Sequence, residues 1–276
     1  MRYVRYGAPG QEKPGVLDNE DVLRDLSGVV DDLSGDVLTD LPQVDTENLP
    51  LVPGTPRLGP PVGHVGKFIG IGLNYSDHAA ETGMEPPPEP IIFMKATSSI
   101  CGPNDDIRLP RDARHGDWEV ELGIVIGKPA KYVSEAEALA HVAGYTVVND
   151  VSERRFQSKR SGQWTKGKSS DTFGPIGPWL VTPDEVPDPQ ELDLWLDLNG
   201  ERMQTGNSRA MIFGCATLIS YLSEIMTLHP GDVIATGTPP GVGMAQSPRR
   251  FLCPGDEVAL GIAGLGEQRN RVTQDA

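Results

Sequence analysis

Glu119 and Glu121 stand two residues apart in the run DWEVELGIVIG. A strand turns successive side chains to opposite faces, so both carboxylates share one face, with Trp118, Val120 and Leu122 on the other. The plainer reading is a half-exposed antiparallel strand with an acidic wet side. Against it, residues 123–126 (Gly-Ile-Val-Ile) are apolar on both faces, so this strand enters a core. Two like charges side by side at a buried edge are costly unless a cation lies between them. Oxygen ligands with no His or Cys cluster beside them select a hard ion, Mg²⁺, Mn²⁺ or Ca²⁺, rather than zinc. Asp150 closes the run YTVVND and is a third candidate ligand; taken alone, an Asp at a strand end is a turn former or cap.

His78 lies in GLNYSDHAAETG, just past the apolar run KFIGIGL, and Glu81 three residues on can reach an imidazole across one helical turn. Such a pair suits a general base, although a His with an acid at i+3 is commonplace. His64, His115, His141 and His229 lack this context and read as structural. GQWTKGKSS (162–170) fits the phosphate-loop pattern G-x-x-x-x-G-K-S/T, which carries meaning only between a buried strand and a helix. Its upstream flank, Arg154 to Arg160, is too polar and basic for a buried strand. Its downstream flank, DTFGPIGP, sets two prolines and two glycines against a helix. The nucleotide reading fails on both sides, and Lys168 needs another role. ATGTPPGVG (235–243) runs from a strand into a Gly/Pro loop: a tight turn, or a concavity of amides and hydroxyls able to hold an anion.

Mostly strands must position these groups. Short apolar or alternating runs predict strands over 67–73, 91–94, 118–127, 145–151, 232–237 and 256–262. The stretch 192–204 alternates into Asn199-Gly200, a hairpin signal. Ser134 and Glu137 predict a short helix over 134–144, and Ile212, Ala216, Ile219, Leu222 and Met226 predict one within 210–232, stopped by Pro230-Gly231. LPLVPGTPRLGPPVG (49–63) holds five prolines and three glycines in fifteen residues, so a boundary is placed at its end. That divides a small N-terminal domain, 1–62, from a main domain, 63–276. The pattern is β-rich α+β, which excludes a doubly wound sheet.

With 276 residues, Pro 25, Gly 32 and aromatics at 6%, the chain suits short strands joined by many turns. Its net charge of -15 argues against nucleic acid or an anionic membrane as partner. Any anion site must therefore be locally positive or metal-bearing. Three widely spaced cysteines, no apolar N-terminal run and no long apolar stretch predict reduced thiols in a cytoplasmic protein.

In chain order, GLNYSDHAAE, DWEVELGIVIG, GYTVVNDVSERRFQ, GKSSDTFGPIGPWLV and GDVIATGTPPGVG resemble the sequence blocks of the fumarylacetoacetate hydrolase superfamily. The resemblance spans about residues 63–275, and residues 1–62 resemble the small N-terminal domain of its bacterial members. GQWTKGKSSDTFGPIGPW is most similar to the 2,4-diketo-3-deoxy sugar-acid hydrolases, also called ureidoglycolate lyases. The resemblance implies a mixed β-roll with a small N-terminal α/β domain, a homodimer, and one Mg²⁺ or Mn²⁺ per site. It implies Glu119, Glu121 and Asp150 as metal ligands and His78–Glu81 as the catalytic pair. Lys168 and Thr172 match positions beside the metal, and Gln157 and Thr238 match substrate contacts. The implied reaction is cleavage of a 2,4-dioxo acid to pyruvate and a carboxylic acid. Oxaloacetate decarboxylases and dienedioate isomerases share the fold. Two departures stand out. Arg154-Arg155 replaces the Arg-Asp of many members, and no Asp or Glu lies between Gly70 and Tyr75 to match the fourth carboxylate of the large animal fumarylacetoacetase. Fumarylacetoacetate itself is thus not the expected substrate. A non-catalytic metal-dependent binding protein is the rival from another class, and the intact His78–Glu81 pair speaks against it.

Overall fold

The computed structural model describes residues 1–83 and 85–275 and, in the helix Ser76–Thr82, the side chains at 76–78 and 81. Ten strands form one mixed sheet. From one edge the order is Leu23–Asp25, Lys13–Leu17, Arg2–Tyr6, Gly174–Val181, Val142–Asn149, Val120–Ile126, Val233–Ala235, Phe68–Gly72 and Ile91–Lys95; Ile100–Cys101 pairs onto Gly174–Val181. The second sheet has five strands, in the order Glu201–Asn207, Asp193–Leu198, Glu257–Ile262, Gly266–Gln274 and Ile107–Leu109. Trp118, Leu122 and Ile124 share a core with Leu196, Leu260 and Leu218, the last from the helix Cys215–Ile225. The chain is mixed α+β and strand-rich, and none of its described helices is long and apolar enough to cross a membrane.

Val120–Ile126 is buried at every residue because strands cover both its edges, as its two-sided apolar run requires. The hairpin turn is also as expected. Asn199 at φ 54 and Gly200 at φ 80 adopt the left-handed pair that a two-residue hairpin needs.

The boundary at residue 62 is corrected. Arg2 and Tyr3 pair with Val181 and Leu180, so the N-terminal strands extend the main sheet. Tyr3, Val16, Leu26 and Leu33 share one hydrophobic cluster with Phe68, Val125, Val148 and Leu180. Residues 1–62 contribute three strands and two 3-10 turns, with no α-helix and no separate core. Each of their short apolar pairs is half of a contact whose other half lies far along the chain.

Other elements shift for physical reasons. The expected helix 134–144 shortens to Glu135–Ala138 with a 3-10 turn, because Val142 already pairs with Ile126. The Ser134 hydroxyl donates to the Glu137 carboxylate at 2.6 Å instead of capping an amide. The helix sought in 210–232 forms only over Cys215–Ile225. The strand Gly266–Gln274 is invisible to a hydropathy pattern because Gln268 and Asn270 face inward. Their amides are satisfied by backbone carbonyls: Gln268 Nε2 donates to Val147 at 2.8 Å and to Gly177 at 3.0 Å.

Candidate metal centre and active site

The strand register brings the carboxylates together. Val148 lies opposite Glu121 and Asn149 opposite Val120; one step on, the Asp150 amide donates to the Glu119 carbonyl at 2.9 Å. Residues opposite one another share a face, so Asp150 joins the two glutamates. One oxygen from each of Glu119, Glu121 and Asp150 lies within 4.8 Å of the others, and all three residues are buried. Glu119 and Asp150 pair with cations. Among the described residues Glu121 has no ion pair; it accepts the Gly237 amide at 2.8 Å. Burial, with Asp150 and Glu119 adding to it, pushes the Glu121 carboxyl well above its ordinary range. Burial works the same way on Glu119, but Arg154 and Lys168 overcome it and hold that group down at about 2. Three hard oxygens with one uncompensated carboxylate fit a divalent cation of the Mg²⁺ or Mn²⁺ type.

Three buried cations frame the cluster. Lys168 Nζ donates to Glu119 and, at 2.5 Å, to Asp150. Burial disfavours its charge, yet Asp150 and Glu119 outweigh burial and its pKa is raised, so the side chain stays an ammonium. Lys95 Nζ donates to the other Asp150 oxygen at 2.6 Å and to the Lys168 carbonyl at 2.5 Å. Arg154 reaches Glu119 at 2.7 Å and Asp117 at 2.8 Å, and its third nitrogen donates to Gln157 Oε1 at 3.2 Å. Counting Asp117 and with every group ionised, as metal binding at Glu121 requires, four carboxylates face three cations, a net charge of minus one. A divalent cation makes it plus one, and one substrate carboxylate then brings it to neutrality.

His78 and Glu81 close the other side. His78 Nδ1 and Glu81 Oε2 are 3.0 Å apart, and the Gly241 amide donates to the same carboxylate at 3.1 and 3.3 Å. With the Nδ1 proton on Glu81, Nε2 is the nitrogen that carries the lone pair. The loop holding Gly241 is pinned by the metal side of the site. Asp117, already bound to Arg154, accepts the amides of Gly243 at 2.6 Å and Met244 at 3.0 Å, and Trp118 Nε1 donates to the Gly241 carbonyl at 3.2 Å. Gly241 sits at φ +105, and a Cβ there would lie 1.9 Å from the Met203 carbonyl oxygen. Gly241→Ala is therefore expected to move the loop, release Glu81 and lower turnover by up to about 10²-fold. Metal affinity, measured by titration calorimetry, should change little, because the loop's contact with a ligand carboxylate, the Gly237 amide on Glu121, lies four residues upstream of the substitution. Wild-type turnover would show that the Gly241 amide does not hold the pair.

His78, Glu119, Glu121, Asp150, Gln157, Lys168 and Thr238 line one cavity of about 210 Å³, with Glu81 behind His78. Thr238 is there chiefly as structure: its hydroxyl donates to the Val120 carbonyl at 2.9 Å and accepts from Gln204 at 2.8 Å. Thr172 is corrected. At φ 65 the chain turns away after Lys168, and the Thr172 hydroxyl accepts the Arg108 amide at 2.8 Å beside a different, open cleft. Lys95 and Asp117 have no role in the sequence reading, and Arg154 enters it only as a departure. The available signals were a lysine ending an apolar strand, IIFMK, and an acid directly before the strand of the two glutamates.

GQWTKGKSS contains one helical turn, Thr165–Lys168, with a helix before it and a strand after it, the reverse of a phosphate loop. ATP and GTP with Mg²⁺ are expected not to bind. Lys168→Ala should still lower turnover by roughly 10²–10³-fold, through loss of the buried cation paired with Glu119 and Asp150. Saturable ATP binding that needs Lys168 would reverse this reading.

Comparisons with known proteins give the family. The family model described as fumarylacetoacetate (FAA) hydrolase C-terminal matches residues 67–273. A relative from Burkholderia cenocepacia, whose name goes no further than "Putative hydrolase", is 63% identical over 282 residues and covers 100% of both chains. Among solved structures, fumarylacetoacetate hydrolase from Exiguobacterium antarcticum aligns over 100% of both chains with TM-score 0.91 and 35% identity. Maleylpyruvate hydrolase from Sphingobium sp., in complex with manganese and pyruvate, also covers 100% of both chains, with TM-score 0.80 and 28% identity. A family model matched over most of the chain, and similarity that runs its full length, lead to one assignment: the chain belongs to the fumarylacetoacetate hydrolase family.

Proposed function

We propose that this protein is a Mg²⁺- or Mn²⁺-dependent hydrolase that splits the C3–C4 bond of a 2,4-dioxo acid, giving pyruvate and a carboxylic acid. The observation that carries the reading is the meeting, in one small cavity, of a proton acceptor backed by a carboxylate and a buried three-carboxylate cluster flanked by ammonium and guanidinium groups. Glu119, Glu121 and Asp150 would hold the cation. When bound, it supplies Lewis-acid stabilisation of the charge that develops on the pyruvate half. His78 Nε2 takes a proton from water, and Glu81 stabilises the imidazolium. The hydroxide adds to C4, and the Lys168 ammonium stabilises the oxyanion formed there. Collapse breaks C3–C4: the acyl carbon leaves as the carboxylic acid, the bonding pair remains on C3, and the proton held by His78 passes to C3 to complete pyruvate.

A structural relative with manganese and pyruvate supports a pyruvate-forming reaction on this scaffold. The sugar-acid resemblance points more narrowly to 2,4-diketo-3-deoxy sugar acids. Purified protein with Mg²⁺, and again with a chelator, should be offered acetylpyruvate, 5-hydroxy-2,4-dioxohexanoate and oxaloacetate while pyruvate is followed. Metal-dependent pyruvate release from the two dioxo acids is expected. Pyruvate from oxaloacetate alone would replace the hydrolase with a decarboxylase.

A further inference from the structure

The cavity is polarised from floor to mouth. Its floor is the buried cluster of Glu119, Glu121, Asp150 and Lys168. Its apolar wall is Phe93, Trp164, Leu73 and Met244; Phe93 is buried beside Lys168, Leu73 and Trp164 are half-buried, and Met244 at the mouth is 39% exposed. Two glycines of the strand Phe68–Gly72 make room for the aromatic part of this wall. A Cβ on Gly70 would meet the Phe93 ring at 2.2 Å, and one on Gly72 the Trp164 ring at 2.3 Å, so both rings rest directly on the strand backbone. Their centroids are 5.6 Å apart at an interplanar angle of 53°, and the neighbouring Thr165 hydroxyl anchors the segment to the Met94 carbonyl at 2.8 Å.

The charges inside are all committed to the floor. Arg154 is shared among Asp117, Glu119 and Gln157, and Lys168 between Glu119 and Asp150. Among the described residues lining the cavity there is no other lysine or arginine. A second carboxylate held inside the cavity would therefore lose water against an apolar wall, and only a tail long enough to pass Ser158 and Met244 would come to the neighbouring cleft of Arg155, Lys159 and Arg249.

We infer that this mouth is a subsite for a short, uncharged acyl group, with Trp164 as the residue that selects it, and that it discriminates against dicarboxylic substrates. The inference rests on the proposed binding of a 2-oxo acid head at the floor. It separates this chain's substrate class from the dioates used by enzymes of similar fold. Uncharged tails such as the acetyl group of acetylpyruvate or the hydroxypropionyl group of 5-hydroxy-2,4-dioxohexanoate satisfy it, and tails ending in a carboxylate do not.

Calorimetry on the Mg²⁺-saturated protein with pyruvate, 2-oxohexanoate and 2-oxoadipate tests the subsite without requiring catalysis. The two six-carbon acids differ only in whether the tail ends in methyl or carboxylate. The tail of 2-oxohexanoate should tighten binding about 10-fold or more over pyruvate, and 2-oxoadipate should bind at least about 10-fold more weakly than 2-oxohexanoate. In Trp164→Ala the affinity ratio of 2-oxohexanoate to pyruvate should fall towards one. Met244→Arg, which places a cation at the mouth, should raise the 2-oxoadipate to 2-oxohexanoate ratio by roughly 10-fold. The expected tail order without cleavage of any 2,4-dioxo acid would leave the subsite standing and remove the hydrolase. Cleavage of acetylpyruvate together with preference for 2-oxoadipate would do the opposite. No metal-dependent binding of any of the three acids would overturn both.

Discussion

Glu121→Gln is expected to abolish divalent-metal binding and turnover while leaving the metal-free protein at least as stable as wild type. The glutamine keeps the acceptor that the Gly237 amide needs and removes the one carboxylate of the triad that has no ion pair among the described residues. Two hard ligands are too few to anchor a small, strongly hydrated cation. Asp150→Ala should lose the metal equally, yet it also strips Lys95 and Lys168 of a buried partner. Breaking such pairs typically costs about 3–5 kcal/mol, so this variant should unfold earlier. The two substitutions thus share one functional outcome and part on stability. The pH dependence adds a second readout. Folding raises the Glu121 pKa above its unfolded value, through burial first and the neighbouring carboxylates second. The stability tied to its protonated form is complete below the unfolded carboxylate range and is lost as pH rises through the raised folded value. In chelator, the thermal midpoint of the wild type should therefore fall with rising pH across that window, and this slope should be missing from Glu121→Gln. Metal affinity should rise over the same window, because the ion displaces the proton. Wild-type Mg²⁺ affinity in Glu121→Gln would remove this residue from the ligand set.

His78→Ala should lower hydrolysis by roughly 10²–10⁴-fold, the contribution of a positioned general base, while Mg²⁺ affinity and thermal stability stay near wild type. The ring is hydrogen-bonded to Glu81, and the oxygens of the metal cluster come from Glu119, Glu121 and Asp150, so its loss leaves those oxygens in place. Glu81→Gln should give a smaller loss in the same direction. The amide can still accept from His78 Nδ1, but it no longer stabilises the imidazolium. If oxaloacetate is decarboxylated at all, that reaction needs no attacking water and should suffer less in His78→Ala than hydrolysis does. Both rates and the Mg²⁺ affinity, measured on one variant, are sufficient. Loss of metal binding would move His78 into the coordination shell and end the proposed mechanism.

The two glutamates are legible in the sequence because a period of two is a rigid rule, whereas Asp150 alone reads as a turn former or cap and joins them only through the resemblance. Two carboxylates on one face of a run that is apolar beyond them must meet something positive. The His78–Glu81 pair was legible because it is local. The groups that balance the charge were not, because their partners lie far away in the chain. Lys95 meets Asp150 across 55 residues and Arg154 meets Asp117 across 37. Thr172 shows the opposite error. It matches a site position only through the family resemblance, and a left-handed turn at Thr172 itself takes it to a different cleft. The strands with apolar patterns were found. Gly266–Gln274 was not, because buried amides replace hydrocarbon at its inward positions. The N-terminal strands were misassigned for a related reason: prolines from 49 to 63 mark a change of direction, not the end of a core.

The pairing of Tyr3 with Leu180 sets the order of sheet assembly against the order of synthesis. The strand Arg2–Tyr6 must wait for its inner neighbour until some 175 further residues have been translated. At about 5–20 residues per second that interval is roughly 10–35 s. Until then the hairpin of Arg2–Tyr6 and Lys13–Leu17 has an open edge and an apolar face with nothing to cover it. A nascent chain is therefore exposed to edge-to-edge association during every round of translation, and a chain diluted out of denaturant, with Leu180 present from the start, escapes that delay.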